Sequence, residues 1–372
     1  MSQNNETVYA KFEEMHEFMC KAFVAAGVPE QDAKICADVL IESDKRGIDS
    51  HGVGRLKPIY LDRIKEGIQF VNTKFEVVKE TPSTAVIDGH DGMGHVISVR
   101  AMEMAIEKAK KCGLAMTVVR NSTHYGIAGY YALMAAKEDM ICFTGTNARP
   151  SIAPTFGVEN MMGTNPLTVG FPSDEDFPFI LDCATSISQR GKIEHYARIN
   201  QPMPSGWVID EKGNAVTDPQ IALKGLIAGT CALTPVGGIG EELAGYKGYG
   251  WATVVEVLSA ALQGGSFLKA LAGFNPDGSL RPYHLGHWFI AIQIEAFTDP
   301  KAFKKTTGEI LRELRASKKA EGQNRIYTAG EKEYLAFQER SKTGIPLNAA
   351  VRKSLESARD EWKVGFTFSW EK

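Results

Sequence analysis

The 372-residue sequence has no long run of lysine or arginine and no large excess of either charge: 42 basic residues stand against 45 acidic ones, a formal net charge of -3. Such a balance supplies no field to gather a polyanion, so nucleic acid is not an expected partner. No apolar stretch approaches the roughly 20 residues a membrane-crossing helix needs, and the opening "MSQNNETVYAKFEEM" lacks the basic-then-apolar layout of a secretory signal. The six cysteines (Cys20, Cys36, Cys112, Cys142, Cys183, Cys231) are scattered, with no C-x-x-C pair, as expected of buried thiols in a reducing compartment. The expectation is a soluble, cytoplasmic protein that uses neither membrane nor nucleic acid.

The usual nucleotide signatures are missing too. "GHDGMG" at residues 89–94 follows a strand-like run but has the wrong spacing for G-x-G-x-x-G, and "GGIGEEL" at 237–243 puts Leu243 where the third glycine belongs. "RGKIE" at 190–194 lacks the flanks of a P-loop. An ordinary Rossmann or P-loop site is therefore disfavoured. "HLGH" invites a metal reading, but a strand follows at once and no acidic third ligand is adjacent, so His284 and His287 read as structural and no metal is expected.

What is present is α/β grammar over a sizeable apolar fraction, 44% of residues. Phe12, Met15, Met19 and Phe23 recur at helical spacing within residues 8–26, and a second helix is predicted from Pro29 to about Arg46. From residue 84 short β-rich runs ("TAVIDG", "GLAMTVVRN", "MICFTGTN", "PLTVGFPS", "PFILDCAT", "HWFIAIQI") alternate with helix-length amphipathic ones. After Pro300 the chain turns charged and helical, with Phe303, Ile310, Leu311 and Leu314 on one predicted face. There is no repeat and no low-complexity linker.

One cluster is chemically dense. "DSHGVGR" at residues 49–55 puts an acid, a hydroxyl, an imidazole and a guanidinium at a helix end where Gly52 and Gly54 free the backbone. His51 can move a proton near neutral pH, and Arg55 offers a planar two-point grip for a carboxylate. His124, in "NSTHYGIAGYY", follows a predicted strand, and ligand sites in α/β sheets gather at the carboxyl ends of strands.

Six segments, "DKRGIDSHGVGRL", "RNSTHYGIAGYYA", "MMGTNPLTVGFPS", "FILDCATS", "LAGYKGYGWATVVEVLSAAL" and "LGHWFIAI", recur in order as in the malate/L-lactate dehydrogenase family of the non-Rossmann type, which the chain resembles from about residue 30 to 330. The resemblance implies an α/β fold with a mixed-sheet cofactor lobe and a helical lobe built from both chain ends. It divides the chain into residues 1–74, a helical segment carrying the Ser-His-Gly motif; 75–299, the lobe for cofactor and substrate; and 300–372, a helical segment packing with the first. It also implies a homodimer whose active site lies near the subunit interface.

The activity implied is reversible hydride transfer between a nicotinamide, NAD or NADP with NAD favoured, and C2 of a small 2-hydroxy/2-keto acid. His51 resembles the general acid, Ser50 its hydrogen-bonding partner, and His124 a histidine that serves as acid/base or lies beside the nicotinamide. Arg55, Thr164 and Asn147 match substrate-pocket positions. Asp182, Cys183, Ala184, Thr185, Tyr246, Lys247, Gly330 and Glu331 match cofactor positions. Two departures stand out: Ala148 replaces a serine of several relatives, and Lys192 stands where imino-acid reductases carry an acid, which argues against an imine substrate. The segment "ALTPVGGIGEELAGYKGYG" most resembles the malate and lactate members. The alternatives are other substrates of the family, namely lactate, sulfolactate, ureidoglycolate or an imino acid, or a nucleotide-binding protein without turnover.

Overall fold

The computed structural model describes residues 7–372. Its first part is mostly helical: strand β1 (Val8–Ala10), helices α1 (Phe12–Ala25) and α2 (Glu30–Lys45), a 3-10 turn at Val53–Arg55, a wide i→i+5 turn at Leu56–Leu61, and the single turn α3 (Asp62–Lys65). Strands and helices then alternate through β2 (Glu76–Glu80), β3 (Thr84–Asp88), α4 (Gly94–Cys112), β4 (Leu114–Ser122), α5 (Gly129–Lys137), β5 (Met140–Thr146), β6 (Leu167–Phe171) and β7 (Phe179–Cys183). An excursion follows: α6 (Arg190–Arg198), β8 (Val208–Asp210), α7 (Pro219–Ala228), β9 (Cys231–Leu233) and α8 (Gly245–Ala260). The chain returns in β10 (Leu285–Gln293) and closes with α9 (Pro300–Ala316), α10 (Glu331–Thr343), β11 (Ile345–Leu347) and α11 (Ala349–Glu361).

The main sheet has the order β2-β3-β4-β10-β5-β6-β7, and only β3 and β4 run parallel. It is a mixed sheet, as the resemblance implies. Alternation along β10 sorts its two faces: Phe289 and Ala291 join α4 and α5, while Trp288 and Ile290 meet Val255 and Leu258 of α8. Because β3 and β4 are parallel, their carboxyl ends share one edge, and the loops that carry residues 89–94 and 123–128 leave from it together. The glycines of "GHDGMG" serve this packing: a Cβ on Gly94 would lie 2.3 Å from the Thr123 carbonyl oxygen.

The helical lobe forms where both chain ends meet. Met15, Phe18, Met19, Ala22 and Phe23 of α1, spaced for one face, pack on Ala33, Cys36, Ala37 and Leu40 of α2, and the same cluster takes in Ile345, Leu347, Leu355, Ala358 and Phe368. Two local expectations are corrected. Residues 8–10 are not the start of α1 but a strand paired with β11, so the chain ends are tied by backbone hydrogen bonds. On α9, Leu311 is buried while Ile310 and Leu314 are more than half exposed. The ion pairs of that helix include those of Arg312 with Asp174 and Glu175 on the β6–β7 connection and of Lys304 with Asp139.

Candidate active site

The 49–55 loop is wrapped around a buried carboxylate. Asp44, in the last turn of α2, accepts the Val53 N–H at 2.7 Å, and a Cβ on Gly52 would lie 2.0 Å from its Oδ1, so the loop closes only over glycine. From the other side Arg340 of α10 donates to the Asp44 carbonyl at 2.7 Å and pairs with the Asp49 carboxylate. Helix α10 thus fixes a loop that lies far from it in sequence.

Burial outweighs the Val53 hydrogen bond and pushes the Asp44 carboxyl up to about 8. A carboxyl raised on folding contributes stability that is complete below its ordinary value of 3.8 and is lost as pH rises towards about 8. Asp44→Asn keeps an acceptor for Val53 without that loss. Its melting temperature is therefore expected to gain on the wild type steadily from pH 5 to pH 8; parallel curves across that window would mean the buried carboxyl does not titrate on folding.

The histidines come together above this loop. The Ser50 hydroxyl and His51 Nδ1 lie 2.8 Å apart, and Arg55 Nε donates to the Ser50 carbonyl at 2.5 Å, which leaves the two Nη groups of Arg55 for other partners. The rings of His51 and His124 stack at 5.7 Å with an interplanar angle of 20°. Tyr60 Oη sits 2.6 Å from His124 Nδ1. Burial, with Arg55 adding to it, lowers His51 to about 4; burial, and after it the repulsion two charged rings would feel, drives His124 well below the ordinary imidazole value. Both rings are neutral at pH 7.

Ser50, His51 and Arg55 line a cleft of about 350 Å³ whose other wall is Thr164, Pro166, Asp182, Ala184 and the start of α6 from Gln189 to Gly191. A second cavity of about 300 Å³ adjoins it, sharing Ile48, Ile127, Asp182 and Glu333 and extending past Leu181 to Tyr327, Thr328 and Gly330. Gly330 has φ +89°, and a Cβ there would lie 2.6 Å from the Pro178 carbonyl oxygen, so the backbone of that turn runs close against β7. The joined cleft is elongated, walled by β7 on one side and the 327–333 turn on the other. It fits a molecule with a small polar end at His51 and a long extension, as a dinucleotide has.

Residues 10–356 match the model of the malate/L-lactate dehydrogenase family. The malate dehydrogenase of Pyrococcus horikoshii is 43% identical over 341 residues, 92% of each chain. The chain belongs to the malate/L-lactate dehydrogenase family. Among solved structures, a malate dehydrogenase from Entamoeba histolytica superposes with a TM-score of 0.94 at 42% identity, covering 98% of this chain and 100% of that one. The sulfolactate dehydrogenase of Methanocaldococcus jannaschii gives 0.84 at 36% identity, covering 96% and 98%. Membership makes the chain an oxidoreductase that works with a nicotinamide cofactor on a small hydroxy acid.

In this dehydrogenase the remaining expected site residues are placed as follows. The Asp182 oxygens are both engaged, by the Gly129 N–H at 2.7 Å and the Thr168 hydroxyl at 2.9 Å, so this side chain clamps the N-terminus of α5 to β7; burial raises it. Thr185 ties the 184–186 loop to the carbonyls of Thr164 and Asn165, and the Cys183 thiol is exposed. Glu331 is buried against Arg325 and accepts the Thr328 N–H at 3.0 Å; burial would raise it, but these partners and Arg315 hold it below the ordinary value. It supports the 327–333 turn from behind.

Asn147, Tyr246 and Lys247 stand outside the cleft walls, as do His124, which stacks behind His51, and Cys183, Thr185 and Glu331. Asn147 is fully buried, accepting the Gly286 N–H at 2.8 Å and donating to the Ser266 carbonyl at 3.1 Å. Tyr246 and Lys247 are exposed at the N-terminus of α8. Lys192 lies over the Trp207 ring, and Glu194 pairs with Arg190 at 3.0 Å. His287 is held between Thr146 at 2.7 Å and Ser122 at 2.8 Å. No group of three or more metal-ligating side chains occurs among the described residues, and no helix there is long and apolar enough to cross a membrane. Pattern reading missed Asp44, Tyr60, Gln189, Arg190 and Glu333; of these only Asp44, which opens the segment "DKRGIDSHGVGRL", and Arg190, which opens "RGKIE", lay inside a stretch the sequence had marked.

Proposed function

We propose that the chain is an NAD(P)-dependent malate dehydrogenase, interconverting malate and oxaloacetate, with NAD as the favoured cofactor and a homodimer as the working form. The observation that carries the substrate reading is the pair of guanidiniums, Arg55 and Arg190, lining one cleft with His51; Arg190 pairs with Glu194 through Nε at 3.0 Å and keeps its Nη groups for a ligand. A substrate with two carboxylates matches two cations, and the 43% identity to a malate dehydrogenase points the same way. The nicotinamide, when bound, accepts or returns the C2 hydride. Arg55 holds the C1 carboxylate through its free Nη groups. His51, neutral and with Nδ1 turned to Ser50, presents Nε2 to take the C2 hydroxyl proton in oxidation and to return it in reduction. Arg190 and the start of α6 receive the distal carboxylate.

The 327–333 turn and Glu333 would hold the adenosine side of the cofactor. NAD is favoured because a 2′-phosphate near Glu333 meets like charge. Lys332, over the Tyr327 ring, is the group that would favour NADP. Trp251, Val254 and Val257 are 42–55% exposed along the outer face of α8, and this apolar strip supports a second copy of the chain as partner.

The test is oxidation of NADH and, in parallel, NADPH by chelator-treated protein with oxaloacetate, pyruvate or sulfopyruvate. Oxaloacetate is expected to exceed pyruvate by roughly 10- to 100-fold in kcat/KM, the worth of one charge-assisted contact. Arg190→Gln is expected to erase most of that ratio while leaving pyruvate turnover. Faster sulfopyruvate turnover would transfer the assignment to sulfolactate, and no turnover with any acid would leave a binding protein or an imine reductase.

A further inference from the structure

The two histidines are equivalent in sequence terms but not in their hydrogen bonds. His51 Nδ1 faces a serine hydroxyl, which can donate or accept, so the ring can carry its proton on either nitrogen as the reaction demands. His124 Nδ1 faces Tyr60 Oη at 2.6 Å and the backbone N–H of Gly126 at 3.3 Å. A backbone N–H can only donate. At 3.3 Å that contact is long and weak, enough to set the direction, so Nδ1 of His124 accepts, Tyr60 donates to it through the short 2.6 Å bond that holds the ring in this state, and the ring proton sits on Nε2. Burial raises the Tyr60 phenol above its ordinary value, which keeps the hydroxyl protonated as a donor.

The backbone is built for this arrangement. Tyr60 lies in the wide turn at Leu56–Leu61, where Pro58 has no N–H to give, and its ring packs against Phe23 at 6.1 Å and His95 at 4.6 Å. Gly126 has φ +80°, and a Cβ there would fall 2.6 Å from Val39 and 3.3 Å from the His95 ring, so only glycine lets the 124–126 turn bring its N–H back to His124.

We infer that Tyr60 is a positioning residue that locks His124 as a neutral Nε2–H donor, dividing the work so that His51 moves the proton and His124 only hydrogen-bonds. This rests on the proposed dehydrogenase chemistry for its consequence, though the lock itself is a property of the free protein. Stacked on His51 at 5.7 Å, behind the ring that lines the cleft, a fixed neutral donor can hydrogen-bond without competing for the proton that His51 carries.

The test is nitrogen NMR of the full-length protein labelled with 15N-histidine, with His124 identified by the signal lost in His124→Asn. The wild type is expected to show His124 Nδ1 as an unprotonated acceptor and Nε2 as protonated, unchanged from pH 6 to pH 8. Tyr60→Phe keeps the ring and its packing, and is expected to mix the two tautomers of His124 and to lower kcat by roughly tenfold or more, as loss of a histidine's orienting partner does, with KM for the keto acid little changed. A wild-type His124 protonated on Nδ1 would overturn the inference, as would a Tyr60→Phe protein whose tautomer is unchanged, whether or not its activity falls. If oxaloacetate is not a substrate but the tautomer is locked and released as described, the substrate reading fails and the positioning role stands.

Discussion

Replacing His51 by glutamine is expected to lower kcat for malate oxidation by roughly 10²- to 10⁴-fold, the range for removal of a positioned acid/base. Glutamine keeps a polar group of similar size near Ser50 but cannot take a proton, so the loss reports on transfer rather than on packing. The pH dependence gives an independent check. Because burial and Arg55 lower His51 to about 4, the wild-type ring is a free base across the neutral range, and kcat/KM for oxidation should stay level until pH falls through about 4, where protonation removes the base. In the glutamine variant that limb should vanish. Ser50→Ala should retain the limb with a smaller loss of rate, since it removes the partner of Nδ1 and not the base. A His51→Gln enzyme within about threefold of the wild type, against the 10² that general-base loss predicts, would shift the proton to another group.

The parts of this molecule that were legible in the sequence are those decided locally. Strands β3 to β7 and helix α4 follow from periodicity, and the glycines of the 49–55 loop mark a turn whatever it surrounds. That His51 and His124 meet was suggested by the family's motifs and is made physical by their stacked rings. What periodicity could not supply was the partner across space. β10 inserts between β4 and β5, pairing Trp288 with Val118 and Gly145, and no local pattern announces that register. Asp44 reads as one polar residue of an amphipathic helix, yet its carboxylate is the post around which the loop closes, which becomes visible only when Gly52 is seen to have no room for a Cβ. Asn147 shows the converse. A buried amide in a motif can face a ligand or satisfy two backbone groups, and sequence does not separate these, because the Gly286 N–H and Ser266 carbonyl that it serves are over a hundred residues away. Tyr60 lies five residues after Arg55, and in a regular helix the two would diverge around the axis; the wide turn between them brings the Tyr60 hydroxyl to the histidine pair.

Arg55 is expected to give two separable effects when it is removed. In Arg55→Met the C1 carboxylate loses a two-point ionic grip, and kcat/KM should fall by roughly 10²- to 10³-fold, about 3 to 4 kcal/mol, on the scale of charge-assisted hydrogen bonds. The same change removes a positive charge that helps hold His51 at about 4, so the acid limb of the rate profile should move up towards the ordinary imidazole range. Arg55→Lys separates the two: it retains the charge, leaving the limb low, but lacks the planar fork, so kcat/KM should still fall. Because Arg55 Nε also ties down the Ser50 carbonyl, part of the methionine effect could come from a loosened loop. Added guanidinium distinguishes these origins. It can return a carboxylate ligand to the cleft and recover part of the lost rate, as expected here, whereas a displaced His51 would leave the variant unresponsive, and a methionine enzyme with an unmoved limb would show that Arg55 does not act on His51 at all.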